Sequence, residues 1–156
     1  MKTIGEWLSL YGRDHQNPKN KLIHWICVPV IMYTVLGLLW CLPVPWRSSM
    51  PWLTGGTIFM ILALLFYVRL SFSLFIGFLL VGGSMLLLNW KLYDYFGPGT
   101  YLIILIATFV VAWIFQFVGH KIEGQKPSFF EDMQFLLIGP AWILSFIYNK
   151  LGINYK

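Results

Sequence analysis

Five stretches without a single Asp, Glu, Lys or Arg divide this chain: 22–46, 48–68, 70–90, 95–120 and 133–149. A bilayer core of about 30 Å takes roughly 20 helical residues, so the first four runs predict transmembrane helices and the fifth is marginal. Ahead of them, Ile4, Trp7, Leu8 and Tyr11 recur at helical spacing. That spacing predicts an amphipathic helix lying in the membrane interface and ending near Pro18. Only Arg69 separates runs two and three, which predicts a very tight turn at the headgroups, since one continuous helix would overshoot the bilayer. PVPWRSSMP, with Trp46 and Trp52 as interfacial aromatics, links runs one and two, and NWKLYDYFGPGT after run three reads as a turn with an aromatic belt. Gly77, Gly82 and Gly83 in run three would let helices approach closely, and Pro29 is expected within the first turns of the first membrane helix. Gly139 and Pro140 interrupt the fifth run near its middle, which predicts a re-entrant or interfacial segment, or a fifth span broken into two halves.

Composition agrees with this pattern: 58% of residues are hydrophobic and 11% charged, where globular proteins carry about a quarter charged. The expected fold class is therefore all-α, a polytopic membrane helical bundle of four spans plus a short re-entrant, interfacial or fifth helix. It forms a single integral membrane domain over 1–156. Within it, 1–21 is an interfacial segment, 22–119 holds four transmembrane helices, and 120–156 is a cytosolic loop with a short hydrophobic segment. A cleavable signal peptide is not expected, because Lys2, Glu6, Arg13, Asp14 and Lys19 leave no continuous apolar core in the first twenty residues.

With the N-terminus inside, four spans place Lys2, Arg13, Lys19, Lys21, Arg69, Lys121, Lys126, Lys150 and Lys156 on the cytosolic side, against Arg47 and Lys91 outside. The net charge of +5 is accordingly read as topology, with membrane lipid as the neighbour and no nucleic acid partner. The host membrane is expected to be the bacterial inner membrane or the endoplasmic reticulum. Cys27 and Cys41 lie in one run, about 21 Å apart along a helix, and cannot form a disulfide.

All three histidines stand at run boundaries on the same predicted side. His15 and His24 enter the first run and His120 leaves the fourth; an even number of spans separates the last two. Neutral imidazoles converging at one membrane surface can hold a divalent transition metal. Any one of them alone reads more readily as an interfacial hydrogen-bonding group than as a ligand. Glu123 stands three residues after His120, on the same helix face, and is a candidate fourth ligand. Such a set, without thiolate, suits iron(II), zinc or manganese. Asn17 and Asn20 are turn and capping types, expected with Tyr11 around the ligands rather than on the metal. Arg69 reaches the same face, where it could pair with a substrate carboxylate or serve as a positive-inside anchor. Glu131 and Asp132 are expected to open the fifth segment, and Cys27 to pack rather than ligate.

YGRDHQNPKNKLIHWICVP, with its Tyr, HxNPxN and IHxxxVP elements, and QFVGHKIEGQKP followed by LLIGP resemble the two signature blocks of the 2-hydroxy fatty acid dioxygenase family, known from fungal phytosphingosine breakdown and from bacterial relatives. The resemblance covers roughly a third of the residues, at both ends; the helices between match in hydrophobicity alone. It implies an iron(II)-dependent membrane enzyme that shortens a 2-hydroxy fatty acid by one carbon, with His15, His24 and His120 as the catalytic and metal-binding residues, Fe(2+) as cofactor, and the fatty acid and O2 as partners. Glu123 departs from the family pattern, which sets the acidic residue four positions after the histidine rather than three. The chemistry is self-consistent: R-CHOH-COOH and O2 give R-COOH, carbon dioxide and water with no external reductant, in a chain without a glycine-rich dinucleotide fingerprint. Diiron desaturases and hydroxylases need many more histidines than three. A haem carrier using His24 and His120 as axial ligands, or a non-catalytic scaffold or lipid-binding protein with incidental histidines, are the rival readings.

Overall fold

The computed structural model describes residues 2–124 and 136–155, and among these residues it contains six α-helices and no strand. Helix α1 (Ile4–Arg13) starts at a capping box in which Thr3 and Glu6 satisfy each other's backbone N–H groups. Of the four apolar positions at helical spacing it buries Ile4, Leu8 and Tyr11 and half-buries Trp7, and it packs on the last described helix, α6 (Ile138–Leu151). Helix α2 (Pro18–Cys41) starts at the residue where the chain was expected to be still interfacial. Asn17 caps it through Lys19 N–H, and Pro18 fits the first turn because the N–H it lacks would have no helical partner. Pro29 consequently lies mid-helix rather than in the opening turns.

Helix α3 (Gly55–Leu70) is shorter than the second apolar run predicts. Among the described residues three helices are long and apolar enough to cross a membrane, namely α2, α4 (Phe72–Phe96) and α5 (Pro98–Glu123). The 16 residues of α3 reach only about 24 Å. Residues that the second run offered to a helix are used in turns around Pro51, and Thr54 then caps the start through Thr57 N–H. The tight turn at Arg69 is present: Ser71 alone separates α3 from α4, ending one helix and capping the next. Helix α4 runs on through Lys91 and Asp94, where a turn was expected, and the reversal is confined to Gly97, whose φ of 76° suits glycine. Among the described residues the Gly139–Pro140 pair does not divide a helix. It falls in the first turn of α6, where a missing N–H costs nothing. Glu131 and Asp132, expected to open that segment, lie outside the described residues, as do Lys126 and Lys156.

Consecutive helices α2 to α5 pack against their neighbours, and α2 also packs along α5. Arg47, in the α2–α3 linker, donates to Trp40 O at 2.8 Å and lies 4.5 Å over the Tyr93 ring, so the linker and the end of α4 share one end of the bundle. At the other end Tyr67 of α3 donates to Leu137 O just before α6. Two of the three glycines singled out in α4 serve close approach. A Cβ on Gly77 would strike the Tyr148 hydroxyl and Leu144, and one on Gly82 would strike Met60, whereas Gly83 faces open space. Overpacking a fitted contact costs about 1–3 kcal/mol. Gly77→Leu is therefore expected to lower the melting temperature of the detergent-solubilised protein, while Gly83→Leu leaves it unchanged or raises it; equal melting temperatures would contradict this packing.

Candidate metal centre

The three histidines come from three different elements. His15 stands two residues past the end of α1, His24 in the second turn of α2, and His120 in the last turn of α5. Each offers a ring nitrogen, and these atoms all lie within 4.8 Å of one another. His15 and His24 are buried and His120 half-buried.

Hydrogen bonding fixes the tautomers of the first two. His15 Nδ1 lies 2.6 Å from Tyr11 O, and His24 Nδ1 lies 3.0 Å from Asn20 O. A carbonyl oxygen only accepts, so each Nδ1 carries the proton and each Nε2 presents a lone pair. Those two Nε2 atoms face each other at 3.0 Å. Two acceptors at that distance need an electrophile between them, and one cation with bonds of about 2.1 Å can reach both. The donor set thus fits a borderline divalent metal, with a backbone carbonyl behind each of two imidazoles to orient it and raise its basicity. Burial also pushes the His15 pKa below its ordinary value, keeping the ring neutral and able to donate.

Tyr11 adds a second restraint on His15, stacking on its ring at 4.2 Å and 10°. Glu123 does not join the cluster. Its carboxylate accepts from the backbone N–H groups of Gln16 at 2.8 Å and Asn17 at 3.0 Å and from Asn20 Nδ2 at 2.9 Å. It sits at the positive end of α2 and ties the end of α5 to the loop that carries His15. Asn20 connects both sides, holding His24 through its carbonyl and Glu123 through its amide. It fits there because Gly119 has no side chain; a Cβ at that position would collide with Asn20 Oδ1. Arg69 is exposed at the end of α3 and is not among the residues lining the cavity at the histidines. Cys27 packs with Ile31 and Ala112.

From the histidines a cavity runs into the bundle, bounded by Val28, Ile31, Met32, Val35 and Leu36 of α2, Phe59, Met60, Ala63 and Tyr67 of α3, and Trp113 and Gln116 of α5. Between His24 and Leu36 it follows about 18 Å of helix. Among the described residues its walls, apart from the histidines, Tyr11, Tyr67, Trp113 and Gln116, are hydrocarbon or thioether. Gln116 was not foreseen, although it is the one amide in the fourth apolar run and stands a helical turn before His120.

The family model described as "2-hydroxy-palmitic acid dioxygenase Mpo1-like" matches residues 1–151. The chain belongs to the Mpo1-like family. Among curated Mpo1-like proteins, the "2-hydroxy-palmitic acid dioxygenase MPO1" of Saccharomyces cerevisiae is 33% identical over 147 residues, covering 93% of this chain and 79% of the yeast protein. No solved structure matches the chain. This Mpo1-like chain is a dioxygenase, with helices long and apolar enough for a membrane protein.

Two outcomes follow from the geometry. Replacing His15, His24 or His120 by Ala is expected to abolish stoichiometric metal retention, whereas Glu123→Ala, which loosens a support rather than removing a donor, weakens metal affinity by roughly 10–100-fold. Both are read by metal analysis after dialysis against graded chelator. The pH dependence has a definite sign. Above His15's ordinary value of 6.5 the ring is neutral in folded and unfolded chains alike; below it the unfolded chain takes up a proton that the buried ring resists. The contribution of His15 to the stability of the metal-free protein is thus fully present above about pH 6.5 and is lost as the pH is lowered towards the folded-state pKa, which thermal unfolding at a series of pH values checks.

Proposed function

We propose that this chain is an iron(II)-dependent dioxygenase that shortens 2-hydroxy fatty acids by one carbon at the membrane surface. One observation carries the reading: two oriented, neutral Nε2 donors face each other at 3.0 Å, with a third imidazole beside them, at one end of an apolar cavity. The family membership supplies the reaction class, and the yeast relative's name a 2-hydroxy acid.

His15, His24 and His120 would hold the iron, and Tyr11, Asn17 and Asn20 support them. Bound iron(II) supplies a centre at which dioxygen and an oxygen-chelating substrate can meet, since three protein ligands leave coordination positions open. The chain's own residues do the rest. The α2–α3 walls take up the acyl tail, which orients the carboxyl end towards the histidines and excludes water from the reacting carbons. Cleavage of the C1–C2 bond balances internally: C2 passes from alcohol to carboxylic acid, C1 leaves as carbon dioxide, and the four electrons released reduce one O2. A substrate without the 2-hydroxyl group cannot meet that balance.

Four passes with α3 as a short one, the histidines on the cytosolic side and Arg69 as a positive-inside anchor is the topology we favour, because Arg13, Lys19, Lys21, Arg69 and Lys121 cluster at the histidine end of the helices and Arg47 and Lys91 at the other. A haem carrier fits poorly, since His24 Nε2 faces His15 rather than a space for a macrocycle. Iron(II)-reconstituted protein is expected to consume oxygen with 2-hydroxypalmitate, releasing a fatty acid one carbon shorter, and to ignore palmitate. Each histidine-to-alanine variant should lose the reaction. Oxygen uptake that does not depend on the 2-hydroxyl group would overturn the assignment.

A further inference from the structure

Four buried side-chain atoms lack a hydrogen-bond partner among the described residues: Asn20 Oδ1, Trp40 Nε1, Trp113 Nε1 and Gln116 Oε1. Leaving a buried polar atom unpaired is costly, so each raises the question of what pairs it in the working protein. Asn20 Oδ1 is packed against Gly119, and Trp40 does not line the histidine cavity. Trp113 lines it but is only half-buried, its ring packed with Phe109 and Phe117 of its own helix. Gln116 combines every requirement of a recognition group. It is 5% exposed, it lines the cavity, and it lies four residues before His120, about 6 Å along α5, on the same helix face.

We propose that Gln116 recognises the 2-hydroxyl group of the substrate, its Oε1 accepting the hydroxyl proton. This deepens the 2-hydroxy acid reading above and rests on it. The order of groups along the cavity sets the geometry: histidines at one end, Gln116 a helical turn further along α5, hydrocarbon beyond. A fatty acid entering tail first brings its first two carbons to rest between His120 and Gln116. A carbon-2 hydroxyl then satisfies the amide, whereas an unsubstituted acid puts a methylene against it and leaves Oε1 unpaired. A site built to bond a hydroxyl rejects the analogue lacking it because its own polar group is stranded. Gln116 acts here on binding and positioning, and nothing in the proposal requires it to exchange a proton during the reaction.

The test uses the full chain in lipid nanodiscs, metal-free, with binding of 2-hydroxypalmitate and of palmitate measured by quenching of tryptophan fluorescence. Wild type is expected to favour the hydroxy acid by roughly tenfold or more. Gln116→Met, close in length and unable to accept this bond, should bring the two affinities together while leaving palmitate binding and melting temperature unchanged or raised, because it removes a stranded polar group. A wild-type preference that survives in Gln116→Met, or no preference in wild type, overturns the assignment. So does a fall in melting temperature accompanied by loss of palmitate binding, the mark of a merely structural residue. Oxygen uptake by the iron(II)-loaded wild type separates the two readings. If it depends on the 2-hydroxyl group while Gln116 proves irrelevant to binding, the proposed reaction stands and only the role of Gln116 falls; if it does not, both fall.

Discussion

Two imidazole lone pairs face each other at 3.0 Å in the interior of this protein, and most of the surrounding construction holds them there. Each ring is turned by its own Nδ1–H towards a carbonyl oxygen four residues earlier in the chain, Tyr11 for His15 and Asn20 for His24. In both cases the local path of the chain therefore selects which nitrogen is free. Orientation before a ligand arrives removes the entropy cost of ordering the rings at the moment of binding. The same arrangement is unfavourable without an electrophile between the rings, which is how a folded chain can store selectivity for a cation.

Holding a residue from the α1–α2 loop against the ends of two long helices is the mechanical problem, and a single carboxylate addresses much of it. Glu123 accepts hydrogen bonds from Gln16, Asn17 and Asn20, joining the end of α5 to the start of α2 at the end where the macrodipole favours negative charge. Gly119 allows the two helices to close at that level. On the other flank, α6 supplies Trp142 beside Tyr11 and His15, so the stack on His15 is itself backed by packing. The centre is thus assembled from both ends of the sequence, with the helices between them serving as walls.

Those walls account for the pairing of a polar end with an apolar interior. The inner faces of α2 and α3 contribute aliphatic, aromatic and thioether groups, while large apolar side chains such as Ile103, Leu80 and Leu65 point outwards. A surface of that kind suits lipid, and a cavity of that kind suits an acyl chain reaching inwards from a polar head. Solvent would be kept from the interior part of such a site, where electrostatic interactions with the few polar groups are strongest.

The helical class, an N-terminal helix with apolar positions at helical spacing, a tight turn near Arg69 and three histidines at run boundaries were legible in the sequence, because charge-free runs and 3.6-residue periodicity are local properties. Helix ends were less legible. The start of α2 at Pro18, the short α3 and the passage of α4 through Lys91 depend on caps and packing partners that hydropathy does not encode. The surroundings of Glu123 and Gln116 depend on tertiary contacts. Three-residue spacing from His120 made Glu123 a candidate ligand, yet the approach of Asn17 and Asn20 from over a hundred residues away converts it into a strut. Gln116 reads as an isolated amide in an apolar run until α2, α3 and α5 enclose it with an unpaired oxygen. What a polar side chain does depends on which partners the fold leaves it, and that is fixed by contacts distant in sequence.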